Sequence, residues 1–351
     1  MRTLTLLLAV VSTGCIRSYE AAPALSFADV PYTSVNEQPW SHGALKLEKA
    51  EATWKLGGLH TLRYVELNPS GTRTVLFLHG LGSNLKFWRY QLDAFAVKGY
   101  RVIAIDQLGF GKSDKPAQFP YSMEAQAEVI AEVLERLTIP RAVIVGHSMG
   151  GEVALALALR FPEKVEALVL TSPAGFEAFS AREKKWFEKV FSATFVKATP
   201  EYGVWGSVRY NNFMTWKPEY EWLIEERVRL AKSDEFDAYA YAQVRAVDGL
   251  THNDFVRDSL SKVLAKTLII FGEDDRLIPN PFLHGGRARK VMQYGASKIV
   301  GSTLVGLPGC GHTVQMDCHE PYNGEVLTFL SALPAPIAVE TKTVDPVKEV
   351  P

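Results

Sequence analysis

Gly146-His147-Ser148-Met149-Gly150 lies between an apolar run, Arg141–Val145, and a helix-favouring one that begins at Gly151. A serine on a direct strand-to-helix turn is held in a strained backbone conformation, with its hydroxyl thrust clear of the sheet. The neighbours two before and two after it crowd each other in such a turn, so both must be small. Here both are glycine, Gly146 and Gly150. Gly151 lets the following helix approach closely, and the helix N-terminus sets positive dipole beside Ser148. That placement suits a nucleophile for acyl transfer. A hydroxyl is a poor nucleophile at neutral pH, so Ser148 needs a base and needs donors for the oxyanion that develops. His79-Gly80-Leu81-Gly82 closes an earlier apolar run, and the backbone N–H groups of Leu81 and Met149 are expected to form the oxyanion hole. Their side chains are replaceable in that role.

Two downstream segments offer the remaining groups. Glu273-Asp274-Asp275 follows the apolar run Thr267–Gly272, and any of the three acids could orient a base or simply solvate a turn. Gly309-Cys310-Gly311-His312 follows a second apolar stretch, Ser302–Leu307, with glycines that let the histidine reach inward. The chain order is serine, acid, histidine.

Positioning these groups takes a sheet. Thr74–His79, Tyr100–Asp106, Arg141–Gly146, Val165–Leu170 and Thr267–Gly272 are short runs rich in β-branched and apolar residues, the pattern of strands covered on both faces. Glu124–Leu137 and Gly151–Arg160 between them have helical spacing. Alternating strands and helices predict a mostly parallel, doubly wound α/β sheet, whose ligands bind beyond the carboxyl ends of the strands. From Phe176 to about Lys262 the alternation stops, and amphipathic helical stretches carry 17 of the 38 aromatic residues. A helical insertion between two core strands is expected there. Most of its aromatics pack it internally, and the density leaves some to line a pocket.

Taken together, HGLGSN (79–84), DQLGFGKSD (106–114), GHSMGG (146–151), FGEDDRLIP (271–279) and GCGH (309–312) resemble the α/β-hydrolase superfamily over roughly residues 45–332. The resemblance implies Asp275 as the acid, since the family's acid stands three after the glycine and four before the proline. It implies His312 as the base, and a helical cap over 176–262. Gly109-Phe110-Gly111-Lys112-Ser113 looks like the end of a phosphate-binding loop, but that loop needs glycine where Asp106 stands, so a structural turn is expected. His79, His147 and His319 are expected to be structural, and His284 to lie in the pocket or on the surface.

Composition narrows the function classes. Thirty-eight basic against 39 acidic residues remove the electrostatic case for a nucleic-acid partner, and no Cys/His cluster has zinc spacing. Neither a metal nor a cofactor is called for. Met1-Arg2, the apolar Leu4–Val11 and Ser12-Thr13-Gly14-Cys15 resemble a bacterial lipoprotein signal, with Cys15 lipidated; an ordinary secretory signal cut near Ala21-Ala22 and a retained N-terminal anchor are the alternatives. All three export the chain to an oxidising compartment, where Cys310 and Cys318 pair or remain buried thiols. The expected organisation is signal 1–15, tether 16–42, hydrolase core 43–175, cap 176–262, core 263–333 and flexible tail 334–351.

A serine nucleophile excludes the haloalkane dehalogenase and epoxide hydrolase branches, which need a carboxylate there. The expected function is hydrolysis of carboxylic esters with an apolar acyl or alcohol group, like a carboxylesterase or lipase, since aromatic pockets bury such groups. A lipid at Cys15 would hold the enzyme at a membrane where lipophilic esters partition. Carbon–carbon bond hydrolysis or amide hydrolysis on the same three residues is the alternative. The carbon–carbon hydrolases often carry asparagine where His147 stands. A non-catalytic ligand-binding member of the fold would be expected to lack one of Ser148, Asp275 or His312.

Overall fold

The computed structural model describes residues 18–252 and 254–335. Eight strands form one sheet. In chain order they are β1 (His42–Leu47), β2 (His60–Leu67), β3 (Thr74–Leu78), β4 (Arg101–Asp106), β5 (Ala142–His147), β6 (Val165–Thr171), β7 (Lys266–Gly272) and β8 (Thr303–Leu307). Their spatial order is β1-β2-β4-β3-β5-β6-β7-β8. The pairs β1–β2 and β2–β4 are antiparallel and all the others parallel. The five runs expected as strands are β3 to β7, and Val75–Leu78, Val102–Ile105 and Val143–Val145 are fully buried, as helices on both faces require.

Among the described residues, four α-helices precede the insertion: α1 (Glu48–Trp54), α2 (Leu92–Val97), α3 (Met123–Arg136) and α4 (Met149–Arg160). Ser122 caps α3 by accepting from the Ala125 N–H. Between β6 and β7 no strand occurs among the described residues. The described chain there forms α5 (Ala181–Val190), α6 (Ala193–Ala198), α7 (Glu201–Trp205), α8 (Trp222–Leu230), α9 (Phe236–His252) and α10 (Asp254–Ser259). This is the helical insertion that the aromatic-rich segment predicted, where the family resemblance implied a cap. Its aromatics do pack a small core of their own: Phe213 stacks on Tyr220 at 4.8 Å and Trp216 meets Trp205 at 5.6 Å. The chain then adds α11 (Ala288–Lys298), α12 (Val314–Asp317) and α13 (His319–Ser331).

One expectation is overturned. Residues 16–42, read as a tether, are packed from Ser18 onward. Tyr19, Phe27, Val30, Tyr32 and Trp40 are all buried, and the segment lies across both cap and core. Its apolar residues follow no helical or strand period, because they meet partners scattered through the chain. Residues 1–15, expected to be a signal and including Cys15, and residues 336–351 of the expected tail lie outside the described residues.

Candidate active site

Ser148 sits between β5 and α4 with φ 52° and ψ −115°, a region L-residues seldom occupy. The turn is as tight as the sequence requires. A Cβ on Gly146 would stand 2.2 Å from the Gly150 carbonyl oxygen, and one on Gly150 would stand 2.3 Å from that of Leu78. The strained residue is held by neighbouring backbone. The Ser148 N–H donates to the Thr171 carbonyl (3.0 Å), and the Ser148 carbonyl accepts from Ala174 N–H (3.0 Å).

Of the three candidate acids, one reaches the histidine. His312 Nδ1–H donates to Asp275 Oδ2 at 2.7 Å, and both side chains are buried. The other oxygen, Asp275 Oδ1, accepts from the N–H groups of Leu277 (2.8 Å) and Ile278 (3.1 Å), which fixes the carboxylate. Asp274 accepts instead from Gly309 N–H at 2.9 Å, and Glu273 pairs with Arg289. With Nδ1 carrying the proton, Nε2 of His312 is left as an acceptor.

The turn after β3 faces the serine, because a Cβ on Gly80 would lie 3.3 Å from that of Ser148. As the first residue of α4, Met149 has no intrahelical acceptor for its N–H. Met149 directly follows Ser148, and Leu81 directly follows Gly80 in the facing turn. The strand end is further fixed by His79, whose Nδ1–H donates to Gly80 O (2.8 Å) while Nε2 accepts from Gln107 N–H (3.1 Å). Burial lowers the His79 imidazole to about 4, so this arrangement is neutral and structural. His147 Nε2–H donates to the His312 carbonyl at 3.1 Å. Burial, then the neighbouring His312, holds His147 well below the usual histidine range. It braces the histidine loop rather than moving protons.

The same loop carries a disulfide. Cys310 and Cys318 are joined, closing a loop that contains His312 and α12. Asp317 ties this loop to the cap, accepting from Gly311 N–H (2.8 Å) and Met214 N–H (2.8 Å). Nothing in the sequence distinguished Asp317 from a helix-surface acid.

The cap also closes on the turn that holds Leu81. Tyr239 Oη donates to the Gly82 carbonyl (2.9 Å), and Arg227 donates to Gly82 O (3.3 Å), Gln243 Oε1 (3.0 Å) and Tyr239. Among the described residues Arg227 makes no ion pair, and burial lowers its guanidinium to about 10. Next to it, Glu226 forms a buried ion pair with Lys86 at 2.7 Å, joining α8 to the core. Neither Arg227 nor Tyr239 could be singled out from one sequence, because their partners lie about 145–157 positions away.

The remaining sequence candidates are structural. Gly109–Ser113 is a turn in which Asp106 accepts from Lys112 N–H (2.8 Å) and Ser113 Oγ donates to the Asp106 carbonyl (2.6 Å). His319 stacks on Tyr90 at 4.3 Å. His284 lies between Glu177 and Glu183, each ring nitrogen facing one carboxylate.

The model of the alpha/beta hydrolase fold matches residues 73–317. This chain belongs to the α/β-hydrolase family. RutD of Variovorax paradoxus, named for carbamate hydrolysis, is 29% identical over 78% of this chain and 98% of its own length. A 2-hydroxy-6-oxononadienedioate/2-hydroxy-6-oxononatrienedioate hydrolase of Burkholderia vietnamiensis is 32% identical over 76% of the chain and 90% of its own. The crystal structure of a Pseudomonas aeruginosa protein, described as a probable hydrolytic enzyme, superposes with a TM-score of 0.72 at 26% identity. It covers 88% of this chain and 99% of that one. In this α/β-hydrolase the matched family region spans the serine turn, the acid and the histidine but starts after residues 18–72.

Proposed function

We propose that this α/β-hydrolase cleaves carboxylic esters with an apolar acyl or alcohol group, through an acyl-enzyme on Ser148. The observation that carries acyl transfer is the buried 2.7 Å bond from His312 to Asp275, on a loop braced against the turn bearing the serine. Ser148 Oγ attacks the carbonyl carbon while His312 Nε2 takes its proton. Asp275 holds the imidazole in the tautomer that leaves Nε2 free, and stabilises the imidazolium that forms. The N–H groups of Leu81 and Met149 receive the oxyanion. His312 then protonates the departing alcohol, and a water that it deprotonates releases the acid. The aromatic cap supports an apolar substrate group.

A second reading has a specific basis. The Burkholderia vietnamiensis relative is named for a hydrolase of a dioate, a substrate with two carboxylates. Arg227, which forms no ion pair among the described residues, would give such a substrate a cation beside the oxyanion turn. Hydrolysis of p-nitrophenyl esters from two to sixteen carbons, beside Ser148→Ala, separates the readings. Serine-dependent turnover with an optimum among the apolar chains is expected. Absence of ester turnover in folded protein, with cleavage of a vinylogous 1,5-diketone acid, would replace the ester reading by the carbon–carbon one. We further propose that Cys15 carries a lipid that anchors the exported enzyme to a membrane, as the Leu4–Cys15 pattern supports.

A further inference from the structure

Residues 18–40 make bonds unlike those of a tether. At the start, the Tyr19 N–H donates to both Glu201 carboxylate oxygens (3.1 and 3.0 Å) at α7. Leu25 N–H donates to the Arg229 carbonyl (3.2 Å), and Arg229 Nε donates back to Pro23 O (3.0 Å), both on α8. Lys232 Nζ gathers the carbonyls of Tyr19, Glu20 and Ala22. Farther on, the segment crosses to the core. Arg89 donates to Ser34 O (2.7 Å), and Trp40 Nε1 donates to Asp93 (3.3 Å).

Two side chains in the middle of this strap reach the groups that hold the oxyanion turn. Tyr32 Oη donates to Asp106 Oδ2, while Asp106 Oδ1 accepts from the Leu85 N–H at 2.9 Å. Phe27 packs on Tyr239 with ring centroids 5.2 Å apart, and Tyr239 donates to Gly82 O at 2.9 Å. Gly82 and Leu85 are one and four residues after Leu81. The turn between is short and tight, with Ser83 N–H donating to Gly80 O (3.3 Å). Its two fixed points therefore set where the Leu81 N–H aims. Phe27, Tyr32, Asp106 and Tyr239 are all buried, so solvent does not replace a contact that is lost.

We infer that residues 18–40 form a strap that positions the oxyanion turn, with Tyr32 acting through Asp106 and Phe27 acting through Tyr239. This rests on the acyl-transfer reading for its catalytic consequence, though not for the mechanical coupling itself. Tyr32 and Phe27 are positioning residues: neither bonds to the turn directly. Pre-set donors matter because small displacements of groups around a transition state cost far more rate than binding.

The test uses the full chain with Tyr32→Phe, Tyr239→Phe and Trp40→Phe. Tyr32→Phe and Tyr239→Phe each remove only a hydroxyl, whereas Trp40→Phe removes the indole N–H and one fused ring at a side chain that contacts Asp93 of the core. Turnover of p-nitrophenyl butyrate and amide hydrogen exchange over residues 79–85 are measured together. Tyr32→Phe and Tyr239→Phe are expected to lower kcat about tenfold with KM changed less than about twofold, the split of an interaction made in the transition state. Exchange in the turn should quicken in both. Trp40→Phe should loosen the strap's core end yet leave kcat within about twofold of wild type. Unchanged exchange and kcat in Tyr32→Phe would overturn the inference, as would an equal loss of kcat in Trp40→Phe, which would make the strap merely stabilising. If wild type turns over no ester while exchange still quickens in Tyr32→Phe, the acyl-transfer reading fails and the strap's hold on the turn stands.

Discussion

Asp274 and Asp275 are neighbours with the same side chain, and the backbone turn after β7 gives them different work. Asp275 accepts from His312 and from two backbone N–H groups; Asp274 accepts from Gly309 N–H at the far side of the loop. Asp275→Asn would leave a donor facing His312 and favour the wrong tautomer. A loss of kcat of about 10³–10⁴ is expected. Asp274→Asn retains an acceptor for Gly309 and should keep most activity, and steady-state kinetics of the pair would expose a misassigned acid by reversing the order. The sequence alone left three acids open at this point. The family spacing selected one, and the 2.7 Å bond shows the physical basis, since only that carboxylate faces the histidine.

Elements add two clasps around the site. The disulfide between Cys310 and Cys318 closes a nine-residue loop around α12, and closing a loop of that length in the unfolded chain is worth about 2–3 kcal/mol. Cys310→Ser with Cys318→Ser should lose about that much stability in urea titration. A kcat loss should accompany it, because His312 lies inside the loop. An unchanged denaturation midpoint would mean the pair does not constrain the chain. The second clasp is His284, which joins the loop after β7 to the cap's first turn through Glu177 and Glu183. Burial pulls its imidazolium down, but the bonds to the two carboxylates outweigh that and leave it raised above the usual histidine value. Its contribution is therefore complete below the unfolded histidine's pKa, near 6.5, and is lost as pH rises through the higher folded value. The side chain is 27% exposed, so roughly 1 kcal/mol is the scale. Wild type should exceed His284→Gln in stability most at pH ~6 and least at pH ~9, and an advantage that grows with pH would reverse the assignment. The core strands were legible because each is a continuous apolar run. The antiparallel pair β1–β2 was not, since its half-exposed residues alternate too weakly to announce a strand.

At the scale of the molecule, sequence reading recovered the layout of core and cap but misjudged the N-terminal segment. A tether and a strap have similar composition. What separates them is long-range contact, such as Tyr32 with Asp106 and Tyr19 with Glu201, and no periodic signal encodes that. The strap begins three residues after Cys15, so a lipid there would hold the cap side close to the bilayer. Cys15→Ala should move the protein from the membrane to the soluble fraction of lysed cells and remove a diacylglyceryl-sized mass from the mature N-terminus. An equal distribution of the two proteins would refute the anchor.

The central claim, acyl transfer on Ser148 driven by His312 and Asp275, is tested most directly by covalent capture. Folded protein treated with diethyl p-nitrophenyl phosphate and mapped by mass spectrometry should carry one diethylphosphoryl group, on the peptide containing Ser148. The adduct should be absent from Ser148→Ala and form at least about a hundredfold more slowly in His312→Gln. No adduct on the wild-type chain, or one that persists in Ser148→Ala, would contradict the mechanism.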